Sequence, residues 1–426
     1  MTPEIKHRIG QIRRGEMPYG YNRVRGSIIP SDWKQYCLGE LGKNKNGLNF
    51  HREDKGIKIR ILGVGDFGNL SVLRDVNALS EISMRFMPDD ELLLKNGDIV
   101  FVRSNGSKEL VGRNLLVYPQ NEKVFFSGFC IRFRLSSDKI TTAEYINLVL
   151  DNGVLKQKLQ SENQGSNISN VNQSIIDNLQ ISIPCKGEQQ KIVAILTTQD
   201  RVIELKENRL AEKQRQKKYL MQQLLTGKKR LPGFSAAWKT DRLGKLFFER
   251  KETNCENLEM LAITGTQGII PRKELDLKDN SSEDKSKYLR VCVGDIGYNT
   301  MRMWQGVSAY SNYEGIVSPA YTILKPSSSI SAKYFAYLFK MPEIVFLFYR
   351  FSQGLVDDTR NLKYENFKKI RVCYPPDMKE QTAIAETLST ADHEIDLLQQ
   401  DIEQEKQKKK ALMQLLLTGI VRCIDT

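Results

Sequence analysis

Several features that would define a membrane protein, a metalloprotein or a secreted protein are absent from this 426-residue sequence. No apolar run approaches the ~20 residues that a membrane-spanning helix needs, and the polar N-terminus does not resemble a secretory signal. The seven cysteines are scattered without a C-x-x-C pair, and the three histidines (His7, His51 and His393) lie far apart. These absences argue against a metal site and a disulfide framework, and they predict reduced thiols in a cytoplasmic protein.

Motifs for catalysis are also missing. The sequence contains no G-x-x-x-x-G-K-[ST] segment, which argues against a Walker nucleotide site. The run GVGDFG at 63–68 fits G-x-G-x-x-G, but no clear helical pattern follows it, and we interpret it as a turn. Paired carboxylates such as Asp89–Asp90 and Asp357–Asp358 lie in polar segments with no base or metal-ligand spacing nearby. We therefore predict a chain that is not an enzyme and that binds no cofactor or metal itself.

What the sequence has in excess is positive charge. Its 64 lysine and arginine residues outnumber 51 acidic residues, which gives a formal net charge of +13. Such an excess attracts polyanions, so nucleic acid is the first partner to consider. Charge alone fits a merely soluble basic protein equally well, and the choice depends on how the chain is organised.

A long repeat without gaps dominates that organisation. Residues 188–230 and 380–422 are identical at 18 of 43 positions, which is too many to arise by chance over an ungapped span. Each copy follows a proline-containing breaker, runs without internal proline or glycine, and closes on LLTG. A glycine in this position ends helices because it tolerates the left-handed conformation. The pattern predicts two equivalent long helices.

Apolar side chains in both copies follow the alternating four- and three-residue spacing of a coiled coil. The seam residues are Ile192, Leu196, Ile203, Leu210, Leu220 and Leu224 in the first copy and Ile384, Leu388, Ile395, Leu398, Ile402, Leu412 and Leu416 in the second. Lys213, Lys217, Glu405 and Lys409 interrupt the seam at equivalent places, where polar residues weaken packing but can fix register. We expect the helices to pair with each other; the alternative is two unrelated amphipathic helices, each packed on its own domain.

The repeat extends beyond the helices. A Trp-Leu-Gly-Leu set with one mutual spacing occurs twice, as Trp33, Leu38, Gly39 and Leu41 and as Trp238, Leu243, Gly244 and Leu246. The N-terminal arm has a helical pattern through Ile5, Ile9 and Ile12, and it corresponds to the piece that is missing after the second helix. We predict a pseudo-two-fold, circular organisation that is cut open at one point. Such a protein suits duplex DNA read at two half-sites.

Two domains of similar size but poorly matched sequence accompany the helices. Both contain short β-rich runs and then a helical, aromatic-rich stretch, which predicts two α/β modules with small, mostly antiparallel sheets. The expected fold class is α+β, with the two modules separated by two long antiparallel coiled-coil helices. The predicted segments are the N-terminal arm 1–30, the first domain 31–187, the central helix 188–230, the second domain 231–379 and the C-terminal helix 380–426.

Each domain has a GDI turn followed by a strand and a polar, basic loop, at 97–113 and at 294–310. Arg, Asn and Gln can engage base edges with two hydrogen bonds, whereas Lys, Ser and Thr also suit phosphates. Ordinary solvated turns would explain any one such residue, but two equivalently placed loops in a repeated frame favour DNA. The candidate DNA-binding residues are Arg103, Ser104, Asn105, Lys108 and Arg113 in the first loop and Asn299, Thr300, Arg302, Trp304 and Gln305 in the second.

A second pair of polar segments precedes the long helices, at 164–174 and at 353–366. Both begin with Gln-Gly and continue into an Asn-containing stretch. These segments suit either helix capping, for which Ser and Asn are good residues, or phosphate contact, and we favour helix capping. Arg360 and Lys363 are the further candidate DNA contacts in the second segment.

Taken together, these motifs resemble the specificity subunit of a Type I restriction-modification system. The likeness covers essentially the whole chain, in the order domain, EQQ…LLTG helix, domain, EQ…LLTG helix. The strings GDIVFVRSNGSKELVG, RNLKYENFKKIRV and RLPGF…WK…RLG resemble segments of the target-recognition domains of that family and of their borders.

The resemblance implies a non-catalytic subunit whose two target-recognition domains each read one half of a split, asymmetric DNA sequence. The paired helices would set the gap between the halves and dock two methyltransferase subunits, which bring S-adenosylmethionine. Separate restriction and translocase subunits would use ATP and Mg²⁺. Two alternatives stay open: a coiled-coil scaffold with protein-binding domains, and the specificity subunit of a Type IIB-like system.

Overall fold

The computed structural model of the chain describes residues 3–24, 27–50, 55–68, 70–104, 110–153, 170–265, 268–275 and 284–424. Two compact units make up the fold. The first contains Met1–Leu205 and Ile402–Thr426, and the second contains Lys206–Asp401. Each long helix therefore contributes one part to each unit.

The first unit begins with the N-terminal arm and contains most of the short elements before the first long helix. In chain order these elements are α1 (Pro3–Arg13), β1 (Tyr21–Val24), β2 (Ser27–Pro30), β3 (Lys34–Cys37), α2 (Leu38–Leu41), β4 (Gly42–Asn46), β5 (Ile57–Leu62), β6 (Val72–Leu73), β7 (Glu81–Met84), β8 (Asp98–Val102), β9 (Asn114–Val117), β10 (Val124–Phe126), β11 (Cys130–Leu135), α3 (Ala143–Asp151), α4 (Gln173–Asp177) and β12 (Gln180–Ile183). The first long helix, α5, spans Lys186–Leu224.

The main sheet of the first unit has the strand order β4-β11-β8-β9-β6 and is antiparallel except between β6 and β9. Its central strand β8 is buried at every position. Ile99 and Phe101 enter one hydrophobic core, which includes residues of α5, and Val100 and Val102 enter a second core. Since both faces of this strand are covered, its sequence is a continuous apolar run and does not alternate with polar residues. The run GVGDFG forms a short 3₁₀ helix, Val64–Phe67, in agreement with a turn.

The second unit repeats this plan with shorter elements. They are β13 (Lys239–Arg242), α6 (Leu243–Leu246), β14 (Phe247–Arg250), β15 (Leu261–Ile263), β16 (Ile269–Pro271), β17 (Leu289–Val291), β18 (Ile296–Asn299), β19 (Ser308–Tyr310), β20 (Gly315–Val317), β21 (Tyr321–Pro326), α7 (Ala332–Leu338), α8 (Pro342–Phe351), α9 (Tyr364–Phe367), β22 (Arg371–Tyr374) and the second long helix α10 (Met378–Leu416). The sheet order β14-β21-β18-β19 corresponds to β4-β11-β8-β9, and all its pairs are antiparallel.

The Trp-Leu-Gly-Leu set marks the start of the same structural frame in both units. A short strand, β3 or β13, pairs with the strand that precedes the following long helix, β12 or β22, and then continues into a four-residue helix. Gly39 and Gly244 lie in these helices, where close neighbours restrict a side chain. A Cβ at Gly39 would lie 3.0 Å from the Asp177 side chain, and one at Gly244 would lie 2.7 Å from Lys368 Cβ. Close packing therefore explains the repeated glycine.

The long helices α5 and α10 are each 39 residues long, which corresponds to about 58 Å. They pair antiparallel within each unit. In the first unit Gln199 Nε2 donates to Glu405 Oε2 at 2.7 Å, and Asp200 pairs with Lys409 at 2.5 Å. The second unit contains the pairs Lys206–Asp401, Lys213–Glu394 and Lys217–Asp392. Each polar residue that interrupts the predicted seam thus bonds to a polar residue of the opposite helix.

Each long helix ends three residues before the glycine of LLTG. Regular helix stops at Leu224 and Leu416, and the next residues form a turn in which Gly227 and Gly419 both have φ +72°. A Cβ at either glycine would approach a tryptophan ring, 3.3 Å from Trp238 or from Trp33. The glycine is therefore required both by its left-handed backbone and by the ring that packs on it.

The EQ pair at the start of each long helix lies in a buried joint with the residues that follow the other LLTG. In the first unit Arg422 donates two hydrogen bonds of 2.9 Å to Glu188, and in the second Arg230 makes the same bidentate contact with Glu380. Both glutamates are fully buried. The arginines also lie over the repeated tryptophans, Trp33 and Trp238. In each unit the residues that follow one long helix thus contact the start of the other long helix, as a circular organisation requires.

The N-terminal arm completes the joint of the first unit. The Tyr21 hydroxyl donates to the Gly419 carbonyl at 2.6 Å, and Arg8 donates to the Ile420 carbonyl at 3.0 Å. Helix α1 follows the predicted pattern. In the first unit the arm therefore occupies the place that the covalently continuous chain has in the second unit, which confirms the predicted circular organisation.

Candidate nucleic-acid interface

The β18–β19 hairpin of the second unit carries the second candidate loop. Asn299 Oδ1 accepts a hydrogen bond from the Met301 amide at 3.0 Å, and the Thr300 hydroxyl donates to the Ala320 carbonyl. These two side chains therefore shape the loop. Arg302 and Gln305 are exposed and stay candidate contacts.

Trp304 belongs to an aromatic cluster that the sequence did not predict. Its ring meets the Tyr349 ring edge to face at 6.2 Å, and its Nε1 donates to the Met301 carbonyl at 2.9 Å. The Arg360 guanidinium stacks 4.1 Å above Tyr349 and donates to its hydroxyl at 2.9 Å. The fold therefore brings Trp304 and Arg360, two candidate residues 56 positions apart, onto one tyrosine. Since Arg360 also donates to Asp357 at 2.9 Å, several of its donors are already used within the protein.

The two polar segments before the long helices differ in their structure. In the first, Asn172 caps α4 by accepting from the Ile175 amide at 2.9 Å, as the capping interpretation expected. In the second, that interpretation was wrong: α9 begins after Lys363, which makes no side-chain cap. Gln353 and Asn361 instead pair through two backbone hydrogen bonds and close a loop. Lys363 is exposed beside it and stays a candidate contact.

The corresponding hairpin of the first unit connects β8 to β9. Arg103 and Ser104 are partly exposed at the end of β8, and the Arg103 amide donates to the carbonyl of Phe129, whose ring is 61% exposed. Arg113 donates to the carbonyls of Gly68 and Leu70, which assigns it a part in holding that loop. Asn105 and Lys108 lie outside the described residues.

The aspartate of each GDI turn anchors the base of its hairpin. Asp98 is 1% exposed, accepts from the Lys95 amide at 2.6 Å and pairs with Arg134 on β11. Asp295 is also 1% exposed, accepts from the Cys292 amide at 2.8 Å and pairs with Arg250 on β14. The motif is thus a structural device that fixes the strand leading into the candidate loop.

A partly buried charged residue supports the far end of each hairpin. Asp151 closes α3 and accepts from Asn114 Nδ2, the first residue of β9, at 2.7 Å. Lys340 lies as many residues after the N-cap of α7 as Asp151 lies after the N-cap of α3, and it donates to the Gly306 carbonyl at 2.8 Å. Burial raises the pKa of Asp151 to about 6, and burial with Lys217 nearby lowers the pKa of Lys340 to about 8. A lone charge in an apolar run, as in LVLDNG and YLFKMP, is the sequence signal for these residues.

Most residues of the predicted seam are buried, but they do not all pack helix against helix. Ile192, Leu196 and Leu416 belong to the core of the first unit, and Leu224, Ile384 and Leu388 belong to that of the second. The helices pair with each other as predicted, but the ends of the seam pack into the domain cores, which is the part of the alternative that holds. Toward the middle of the helices, Ile203, Ile395 and Ile402 are buried; Leu210, Leu220, Leu398 and Leu412 are partly exposed. Their role in partner docking stays a prediction.

Comparison with known proteins accounts for this repeated arrangement. The family described as the type I restriction modification DNA specificity domain matches the chain twice, over residues 30–215 and 244–407. The chain belongs to this family. Each of the two matches includes a GDI hairpin and part of a long helix.

Some relatives of this specificity-domain family match nearly the whole chain, and others match one part of it. The type I restriction enzyme MjaVIII specificity subunit of Methanocaldococcus jannaschii is 23% identical over 436 residues, covering 94% of this chain and 96% of the relative. The StySPI specificity subunit of Salmonella potsdam is 31% identical over 178 residues, which cover 40% of this chain and 36% of that protein. A solved structure from a study of assembly and conformational transition in the type I R-M system aligns with a TM-score of 0.56 at 16% identity, over 92% of this chain and 99% of that one. This likeness confirms the predicted α+β fold. Among the described residues, no helix is long and apolar enough to cross a membrane.

Proposed function

We propose that this chain is the DNA specificity subunit of a type I restriction-modification complex and that each of its two domains reads one half of a bipartite, asymmetric target. The observation that carries this proposal is the pair of equivalent hairpins, β8–β9 and β18–β19, which have one frame but different loop sequences. Equivalent placement suits two half-sites, and different side chains suit two different sequences.

The proposal assigns the spacing of the half-sites to α5 and α10. Their cross-helix ion pairs hold one register, so the length of the helix pair is fixed by sequence. The same helices offer the surface on which methyltransferase subunits dock. Those subunits would bring S-adenosylmethionine, restriction and translocase subunits would use ATP and Mg²⁺, and this chain would be non-catalytic and cytoplasmic.

Mapping of methylated bases in a host with and without this gene tests the proposal directly. We expect one bipartite motif with a fixed gap to lose its methylation when the gene is removed. Unchanged methylation in a host whose partner genes are expressed would contradict a specificity role. Methylation by the isolated chain with S-adenosylmethionine would contradict a non-catalytic one.

Changing the helix length tests the spacing role separately. Insertion of seven matched residues into both helices, within 199–217 and the equivalent 391–409, lengthens the pair by about 10.5 Å, or roughly three base pairs of B-DNA. We expect the gap in the methylated motif to change and both half-site sequences to stay the same. Changed half-sites with an unchanged gap would contradict this role. Replacement of residues 31–180 with the first domain of another specificity subunit is the matched control and should alter one half-site only.

A coiled-coil scaffold with protein-binding domains predicts a different result. Phosphate contacts make DNA affinity fall with rising salt concentration. A scaffold would bind DNA weakly and without that dependence, so a salt titration of the assembled complex separates the two functions. The identity of the neighbouring genes separates a type I system from a Type IIB-like one.

A further inference from the structure

A loop of the second unit presents two apolar side chains to solvent. Leu355 is 99% exposed and Val356 is 60% exposed. Gly354 precedes them at φ +135°, and a Cβ there would lie 2.6 Å from the Thr359 carbonyl oxygen. The tight turn that displays the pair therefore depends on a glycine. Adjacent apolar side chains held in water mark an interaction surface.

The loop is braced on both sides. Gln353 and Asn361 exchange backbone hydrogen bonds of 2.8 and 2.7 Å across its base. Arg360 ties its return strand to Tyr349 through a stacked ring and a hydrogen bond, and to Asp357 through an ion pair. These contacts fix the position of the Leu355–Val356 tip, so it is presented without a large loss of conformational freedom on binding.

The same braces join the tip to the candidate DNA-reading loop. The Leu362 amide donates to the Thr300 carbonyl at 2.9 Å, and Trp304 packs against the Tyr349 ring that carries Arg360. Exposed Arg302 and exposed Lys363 lie on the segments that these contacts connect, whereas Asp357 and Asp358 directly follow the tip in sequence, so charges of both signs surround it. A nucleic-acid duplex is the favoured partner because the tip is joined directly to the candidate DNA-reading loop.

We propose that Leu355 and Val356 form an apolar wedge that enters a groove of the bound duplex and unstacks a base step beside the half-site read by residues 299–305. This inference rests on the proposed function, since it needs DNA at this surface. Inserted apolar side chains of this kind bend DNA and extend the contact with it. In the sequence of the first unit, the Gln-Gly turn is followed by Ser166 and Asn167, so the wedge belongs to one half-site only.

The test uses the complete complex and the target duplex found by methylation mapping. 2-Aminopurine, whose fluorescence rises when it is unstacked, is placed at successive steps within and beside the second half-site. The methylated base and its neighbours are left out, because a methyltransferase flips its target base out of the stack. We expect a rise at one step on binding, and none at the matching steps of the first half-site. The Leu355→Ser/Val356→Asn double variant, which copies the first unit, should lose the rise. It should also bind about 10- to 100-fold more weakly, because two apolar side chains are no longer buried.

Val293→Ser is the matched control, since Val293 is 64% exposed in the same unit but lies before β18, at the other end of that strand from Asn299. It should retain both the fluorescence rise and the affinity. A double variant that keeps both would overturn the wedge. So would a double variant that binds DNA normally but no longer associates with the methyltransferase subunits, because the tip would then contact protein. Absence of target binding by the unaltered complex is a separate result, visible before any variant is compared, and it would overturn the proposed function itself.

Discussion

The joints of the two units have the same plan but different numbers of contacts. In the second unit one arginine, Arg230, binds one buried glutamate, and the chain continues covalently through the joint. In the first unit Arg422 binds both Glu188 and Asp32, and Glu188 also accepts from Trp33 Nε1 at 3.1 Å. The position equivalent to Asp32 in the second unit is Ala237.

The difference shows how non-covalent contacts can replace a peptide connection. Two chain segments that are free to separate lose entropy when they are brought together, whereas a covalently continuous turn has lost most of it already. The first joint has the additional bonds of Asp32, Trp33, Tyr21 and Arg8, and these offset that cost. Mutations at equivalent positions should therefore have unequal effects in the two units.

Removal of the joint arginines gives the largest expected difference. Arg422→Met should cost about 3–5 kcal/mol, because it leaves a fully buried carboxylate without its cation. Arg230→Met should cost less, because fewer bonds are lost and the chain stays connected on both sides. Urea unfolding measures the cost, and hydrogen exchange of residues 3–24 shows whether the arm is released. Equal losses of stability, or a larger loss for Arg230→Met, would show that the covalent connection in the second unit does not compensate for its smaller number of contacts.

Substitutions of the partly buried charged residues Asp151 and Lys340 should give the next largest effect, a change of about 1–2 kcal/mol in the free energy of unfolding. The raised pKa of Asp151 makes its ionised form costly above pH 6, so Asp151→Asn should stabilise the protein at pH 7–8, and the gain should fade between pH 6 and pH 4. The lowered pKa of Lys340 makes its charged form costly below pH 8, so the gain from Lys340→Met should fade between pH 8 and pH 10.5.

The Lys340→Met substitution also removes the hydrogen bond to the Gly306 carbonyl, and this loss reduces the gain in stability expected from removing the charge. Urea unfolding at a series of pH values checks both windows. The conservative variants Asp151→Glu and Lys340→Arg are controls, since they keep the charge and should show no gain. A gain without pH dependence would indicate improved packing and would contradict the ionisation argument.

The joint tryptophans should show the smallest difference. Trp33→Phe removes the donor to Glu188 and should cost roughly 0.5–1.5 kcal/mol beyond the loss of ring area. Trp238 Nε1 has no hydrogen-bond partner among the described residues, so Trp238→Phe loses no such bond. Trp33 is buried and Trp238 is partly buried, so the two variants also lose different ring contacts, and the hydrogen bond accounts for one part of the difference between their urea midpoints. No difference would mean that Glu188 is satisfied without the indole.

The frame of the molecule was predictable from sequence because it is repeated. The helices, the Trp-Leu-Gly-Leu starts and the GDI hairpins occur twice, so each copy supports the interpretation of the other. The contacts that distinguish the units were not predictable. Arg134 and Arg250 bind the equivalent aspartates Asp98 and Asp295 from strands that do not correspond, and no local pattern indicates such a pairing.

Predictions of individual contact residues were limited for the same reason. Arg113 fits a DNA contact by type and position, yet the loop at Gly68 provides it with backbone acceptors. The Tyr349 ring that receives Trp304 and Arg360 comes from a helix that the candidate loops do not include. Side-chain type and loop position indicate what a residue can bind, but its neighbours in the fold decide whether its donors are still available.

The charged pairs across the long helices also bear on which helices can pair. Asp200–Lys409 and Lys217–Asp392 are related by the repeat. If two copies of α5 paired antiparallel in the same register, Asp200 would face Lys217, and two copies of α10 would likewise place Asp392 opposite Lys409. These two ion pairs alone would therefore allow either helix to pair with a second copy of itself.

The charges that are not repeated remove that ambiguity. In a pair of α5 helices Arg209 would take the place of Asp401 opposite Lys206, and in a pair of α10 helices Glu405 would lie opposite Glu394. Both arrangements bring like charges together, whereas α5 with α10 brings opposite charges together. The polar middle of the helix pair therefore selects the heterotypic α5–α10 pairing and disfavours the pairing of either helix with a second copy of itself.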